Sequence, residues 1–309
     1  MGKIIVHEVG LRDGLQVEKI TVPTEQKIKW IQALIASGVD IIQIGSFVHP
    51  EKIPQMADTD QLFAYFNQAD YKPGGVILSG LVLNEKGLER GFACGVEQFC
   101  MGVSASDTYS RKNTGMGTAE ATERILAMAQ KAVHAGKGVQ LSVQSAFGCG
   151  YEGGIPEEKV LEIVTRYLEA GFRNISLADT AGHAHPQQVE RLFGAVQNLD
   201  PKIECACHFH ETYGLGLANC YAALKVGVRY FEASFAGLGG SPSSAITSGN
   251  VCTEDLVHLL QRMNLRRDIE LNRIIEVAKE ASRYFNRGLS GLVHRIGPIP
   301  AFEKTASGG

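Results

Sequence analysis

The chain has 309 residues, 44% of them hydrophobic, with 30 Lys and Arg against 33 Asp and Glu and a net charge of -3. At this length roughly three quarters of the unfolded surface leaves water on folding, so no disulfide or structural metal is needed for stability. The composition also excludes a disordered segment and a polybasic nucleic-acid binder.

Apolar, strand-like runs recur at Lys3 to Val9, Val39 to Gly45, Val76 to Val82, Glu97 to Ser104, Val139 to Phe147, Asn174 to Thr180, Ile203 to Glu211 and Tyr230 to Gly237. Between them lie stretches with helical periodicity, among them Thr24 to Ser37, Thr118 to Ala135, Pro156 to Ala170 and His185 to Asn198. Gly38 and Gly171 close two of these helices just before the next strand, and Pro156 and Pro186 stand at helix starts. Eight strand-helix units with near-continuous apolar strands predict a parallel sheet covered by helices and closed into a (β/α)8 TIM barrel. An open doubly wound sheet is the alternative, but no GxGxxG follows the first strand. Glu254 to Gly288 reads as one or two further helices and Leu289 to Pro300 as a closing loop. No linker interrupts the pattern, so residues 1–300 are expected to form one elaborated barrel domain, with 301–309 as a flexible tail.

The seven cysteines form an odd set without a CxxC pair, which points to reduced thiols. No basic segment precedes the first strand, and no apolar run approaches the roughly 20 residues that span a bilayer. The expectation is a cytoplasmic protein that binds neither membrane nor nucleic acid.

Barrel chemistry collects on the loops that follow the strands. Arg12, Asp13 and Gln16 follow the first strand; Gln43 and Ser46 end the second, Ser104 the fourth, Gln144 and Ser145 the fifth, Asp179 and Thr180 the sixth. In Cys205 to His210, alternation sends His208 and His210 to one face and Cys205, Cys207 and Phe209 to the other. An isolated HxH most often makes local hydrogen bonds. Here Asp13 offers a carboxylate and Asn250 an amide oxygen on other loops, completing a mixed N/O set suited to a divalent cation, Mg²⁺ or Mn²⁺. The glycine-rich loop from Gly237 to Pro242 leads to Asn250 and reads either as a connector or as a lid.

Six spaced stretches carry a family likeness: His7 to Gln16; Ser46 to Val48 with Pro54 to Met56; Ser104 to Ser106; Gly148 to Gly153; His208 to Gly214; and Ala236 to Gly240 with Ser248 to Asn250. In these motifs the chain resembles the 3-hydroxy-3-methylglutaryl-CoA lyases, part of the wider metal-dependent lyase and synthase barrels, up to about Asp255. The resemblance implies a metal-dependent carbon–carbon lyase that cleaves a 3-hydroxy-3-substituted acyl-CoA to acetyl-CoA and a keto acid. It implies one divalent cation (Mg²⁺ or Mn²⁺, with Zn²⁺ a further option) held by Asp13, His208, His210 and Asn250. It further implies that Arg12 polarises the acyl oxygen, that Asp179, Ser176, Ser46 and Lys19 surround the substrate, and that the protein is a homodimer. Asp13 and His208 are the candidates for shuttling the hydroxyl proton.

Two departures fall within the site. Ser241 occupies the catalytic loop position where the lyases carry a cysteine thought to protonate the enolate. A thiol titrates near pH ~8.5 and an alcohol far higher, so Ser241 does not simply inherit that role. Gln43 stands where the lyases place an acid beside Arg12, leaving one negative charge fewer. These changes point to an altered substrate or altered chemistry. A related aldolase or Claisen-type condensing enzyme, or a catalytically idle metabolite-binding homologue, is the alternative.

Overall fold

The computed structural model describes residues 2–68, 70, 71, 74–240 and 249–299. Its strands are β1 (Ile5–Glu8), β2 (Ile41–Ser46), β3 (Ile77–Leu81), β4 (Gln98–Ser104), β5 (Gly138–Gln144), β6 (Asn174–Ala178), β7 (Glu204–His208) and β8 (Tyr230–Ala233). They pair in parallel in chain order, and β1 also pairs with β8, closing the barrel. The eight apolar runs are thus eight staves, and the open-sheet alternative is excluded.

The helices are α1 (Thr24–Ser37), α2 (Thr59–Phe66), α3 (Glu85–Ala93), α4 (Asp107–Thr114), α5 (Thr118–His134), α6 (Glu157–Glu169), α7 (Pro186–Leu199), α8 (Gly216–Lys225), α9 (Thr253–Arg262), α10 (Leu271–Tyr284) and α11 (Val293–Ile296). Gly38 closes α1 in the left-handed region at φ 86°, a conformation that costs glycine nothing. Pro186 is the first helical residue of α7, whereas Pro156 caps α6 from just outside. The expected closing loop after Leu289 instead contains α11, begun where Asp255 Oδ1 accepts from the Val293 amide at 2.8 Å. The expected tail lies outside the described residues. Among the described residues no helix is long and apolar enough to cross a membrane.

The barrel wall has two unlike faces. Outside, Ile42, Phe99, Leu141, Ile175, Cys207 and Phe231 are buried under the helices. Trp30 of α1, fully buried, lies 5.5 Å from the Phe235 ring and 5.8 Å from Tyr284 of α10, so the C-terminal helices complete the coat. Inside, the registers pair Gln43 with Ser79, Cys100 with Gln140, Ser142 with Ser176, and Glu232 with both His7 and His208. Barrels of this class usually fill their interior with branched aliphatic layers. Polar side chains replace them here, and the interior opens into a cavity.

Candidate metal and substrate site

The chain leaves β1 through a π-helical turn, Gly10–Gly14, in which the Asp13 amide donates to Val9 O at 2.7 Å. This turn lifts Arg12 and Asp13 to the barrel mouth. Space is tight: a Cβ at Gly10 would stand 2.5 Å from the Phe235 ring and 2.7 Å from Glu8 Oε1. Glu8, fully buried, accepts from the Gly10 amide (2.6 Å), the Phe235 amide (3.1 Å) and Thr253 Oγ1 (2.7 Å). One carboxyl therefore ties the root of the Arg12–Asp13 turn to the loop after β8. Burial pushes that carboxyl up to about 8, against the pull of these hydrogen bonds.

His208 ends β7, and His210 lies just beyond it in an isolated bridge with Asn250, so the strand is shorter than its sequence pattern predicts. Backbone bonds from Val251 N to Phe209 O (3.1 Å) and from Glu211 N to Gly249 O (2.9 Å) set Asn250 beside the imidazoles. Phe209 points the other way and is fully buried. Cys205 and Cys207 are buried packing thiols, and burial raises both well above the ordinary thiol range.

Asp13, His208 and His210 bring one ligand atom each within 4.8 Å of one another. His210 Nδ1 donates to Asp179 O at 2.8 Å, leaving Nε2 as a lone pair 3.9 Å from Asp13 Oδ2. Burial, reinforced by the neighbouring His208, lowers His210 to about 4 and keeps it neutral. His208 Nε2 lies 3.8 Å from the same oxygen, while its Nδ1 is bonded to Glu232 Oε2 at 2.9 Å. Burial is the largest influence and opposes a charge on His208, but the Glu232 bond and the negative charges of Asp13 and Glu232 together outweigh it and raise the imidazole. Asn250 Nδ2 donates to Asp13 Oδ2 (2.8 Å) and Leu238 O (3.0 Å).

Among the described residues, two buried atoms here, His210 Nε2 and Asn250 Oδ1, have no hydrogen-bond partner. Unsatisfied buried acceptors converging with a carboxylate are costly unless a cation completes them. The residues present therefore fit a divalent ion. Asp13 suits it as well: burial disfavours its charge, but Arg12 and then the two imidazoles hold it well below the ordinary carboxylate range. Arg12 bonds Asp13 Oδ1 through Nη1 and Gln43 Oε1 through Nε, and Gln16 Nε2 donates to Asp13 Oδ1 at 3.0 Å. Both candidate proton shuttles are thus tied, Asp13 by Arg12 and Gln16, His208 by Glu232.

Beneath these groups lies a cavity of about 380 Å³ lined by Arg12, Asp13, Gln43, Ser176, His208 and His210, among others. Three expected residues stand off its wall. Both Asp179 carboxylate oxygens accept backbone amides, from His183 (2.8 Å) and Ala184 (3.1 Å), and burial pushes this acid up to about 6. The aspartate shapes the loop after β6, and only its carbonyl reaches the site, through His210. Ser46 follows a register shift in β2 between Gln43 and Gly45 that sets it beside the cavity-lining Leu81; its backbone bonds Thr59 Oγ1, and among the described residues its buried hydroxyl has no hydrogen-bond partner. Lys19 is exposed. Ser241 lies outside the described residues, as does Pro242 at the end of the proposed lid.

The sequence reading overlooked Glu232 and the anchoring role of Glu8. Glu232 supplies a carboxylate on the cavity floor although Gln43 is neutral. An acid inside the apolar run Tyr230-Phe231-Glu232-Ala233 was the available signal.

The HMGL-like family model matches residues 3–280. A hydroxymethylglutaryl-CoA lyase of Bacillus subtilis is 37% identical over 90% of this chain and 91% of that protein. A 3-hydroxy-3-isohexenylglutaryl-CoA/hydroxy-methylglutaryl-CoA lyase of Pseudomonas aeruginosa is 34% identical with the same coverage. Among solved structures, an HMG-CoA lyase from Acinetobacter baumannii in complex with coenzyme A and 3-methylmalate superposes with a TM-score of 0.89, at 34% identity over 96% of each chain. With the turn, the paired imidazoles and Asn250 meeting at one barrel mouth, these likenesses lead to a single assignment: the chain belongs to the HMGL-like family, that of the hydroxymethylglutaryl-CoA lyases.

Proposed function

We propose that the protein is a divalent-metal-dependent carbon–carbon lyase that cleaves a 3-hydroxy-3-substituted glutaryl-CoA into acetyl-CoA and a 3-keto acid. The convergence of Asp13, His208, His210 and Asn250 beside Arg12, with two of their buried atoms unpartnered, carries this reading. Asp13 Oδ2, His208 Nε2, His210 Nε2 and Asn250 Oδ1 are the atoms that would hold the ion. Their mixed N/O character, with a carboxylate and an amide oxygen and no thiolate, favours Mg²⁺ or Mn²⁺ over a thiophilic metal. When bound, such an ion supplies the charge that makes a tertiary hydroxyl acidic near neutral pH.

The chain's own residues do the rest. Arg12, permanently charged and oriented by Gln43 and Asp13, stabilises the negative charge that develops on the thioester oxygen as the C2–C3 bond breaks. As the C3 hydroxyl gives up its proton, the C2–C3 bonding electrons pass to the acyl-CoA enolate and C3 becomes the ketone of the keto acid; the enolate carbon then takes up a proton to give acetyl-CoA. Glu232 and the Asp179 carbonyl fix the two imidazole rings. The coenzyme A complex of the Acinetobacter relative supports an acyl-CoA substrate.

The test is incubation of Mg²⁺- or Mn²⁺-loaded protein with 3-hydroxy-3-methylglutaryl-CoA and its C3 homologues, with products identified by mass spectrometry. Acetyl-CoA should appear with the wild type and fall at least about a thousandfold for Asp13→Ala, together with its metal content. A metal-loaded wild type inert toward every thioester overturns the proposal. Condensation without cleavage would favour the aldolase or Claisen reading.

A further inference from the structure

The floor of the cavity is the least expected part of the barrel. Below the imidazoles it is lined by Gln43, Cys100, Gln140, Ser142, Ser176 and Glu232, contributed by five strands. All but Ser142 are buried. The floor is open because the wall is thinned. Gly102 faces Ser142 across the β4–β5 register, and the Ser142 hydroxyl lies 1.9 Å from where a Cβ at Gly102 would stand.

Gln140 is 3% exposed, and among the described residues its Nε2 has no hydrogen-bond partner, while its Oε1 accepts from Cys100 Sγ at 3.7 Å. A buried amide donor left unpaired is destabilising, so the floor is built for an acceptor arriving from the cavity. The Cys100 thiol is pushed up to about 12, chiefly by burial, so it is neutral and not a nucleophile. The one charged side chain of the floor is Glu232, held against His208. A carboxylate descending here would meet like charge and no cation, and an alkyl chain would strand the Gln140 donor.

We propose that this floor is a specificity subsite for the C3 substituent of the substrate, and that it takes an uncharged polar group longer than methyl, ending in a hydroxyl or carbonyl oxygen that Gln140 Nε2 hydrogen-bonds. The inference rests on the lyase reading. On that reading the hydroxyl on C3 is held at the barrel mouth, the coenzyme A arm leaves through that mouth, and the free carboxylate is kept off the floor by the like charge of Glu232. The fourth substituent on C3 is then the one that points down the barrel axis. Ser142 and Gly102 give it room, and Gln140 reads its end.

The experiment compares kcat/KM of Mn²⁺-loaded enzyme for three thioesters carrying methyl, propyl or 2-hydroxyethyl on C3 of 3-hydroxyglutaryl-CoA. The hydroxyethyl thioester should exceed its isostere, the propyl thioester, by at least about tenfold, because a site that hydrogen-bonds a hydroxyl rejects the analogue lacking it. It should also exceed the methyl thioester. Gln140→Leu should abolish or reverse the hydroxyethyl-over-propyl preference, and Ser142→Leu should fill the floor and make methyl the best substrate. Metal content and melting temperature of both variants report whether they fold. If the wild type cleaves the methyl or propyl thioester at least as well as the hydroxyethyl one, the floor is a water-filled space, this inference fails and the lyase reading stands. If wild type loaded with metal cleaves none of the three, both fail.

Discussion

Glu8 is a sensitive point of the scaffold, because one buried carboxyl serves three donors from β1's own exit, the loop after β8 and the start of α9. Burial raises it from 4.5 to about 8, so the folded protein holds it protonated at pH values where the unfolded chain has already ionised. The sign follows from linkage: this group's stabilisation is fully present below pH 4.5 and is lost as pH rises to about 8, where the folded form also ionises. Each pH unit in that window is worth about 1.4 kcal/mol, so between pH 5 and pH 8 the loss is roughly 4 kcal/mol.

Glu8→Gln keeps an oxygen for the Gly10 and Phe235 amides, and Thr253 can accept from the new amide, but the variant cannot ionise. Relative to wild type it should therefore gain stability steadily from pH 5 to pH 8, by about 4 kcal/mol in all. Paired denaturant or thermal unfolding at each pH cancels every other titrating group. A difference between the two proteins that stays flat within about 1 kcal/mol across this range would refute the reasoning. Glu8→Ala should destabilise at every pH, because two buried amides and a hydroxyl lose their acceptor at about 1–3 kcal/mol each.

The tightness of Gly10 makes a separate prediction. Its added methyl in Gly10→Ala would meet the Phe235 ring and Glu8 Oε1, both buried and fixed, so stability should fall by about 1–3 kcal/mol as the turn shifts. Lyase activity should drop by more than tenfold, since about 1 Å of displacement of catalytic groups can cost ~10² in rate; unchanged kcat would show that the turn absorbs the methyl. Glu232→Gln should weaken divalent-ion binding by about 10–100-fold through the loss of orientation and charge behind His208, measured by competition with a chelator. Equal affinity in the two proteins would remove Glu232 from the support of the site.

Much of this molecule is legible in its sequence because strands and helices leave local traces. Alternation placed His208 and His210 on one face and Phe209 on the other, and the count of apolar runs predicted eight staves. The motif set identified Asp13 and Asn250 as companions of the imidazoles. The first two inferences need only the period of the chain and the rule that loops after the strands share one face of a barrel, whereas the ligand set of the motifs is what the family resemblance implies.

What tertiary structure alone decided are the partners. Asp179 looks like a catalytic acid from its place at a strand end, yet both its oxygens are consumed by amides four and five residues on, in a loop whose path is not periodic. Unbroken alternation from Gln43 would turn Ser46 outward, but a register shift in β2 that leaves no mark in the run of residues 41–46 sets it beside the cavity-lining Leu81. Glu232 backs His208, and Gln140 lies over Cys100, because parallel registers set them side by side. Register is a relation between strands tens of residues apart, fixed by closure of the whole barrel. A local pattern shows which face a side chain takes, but only closure determines which side chains it meets there.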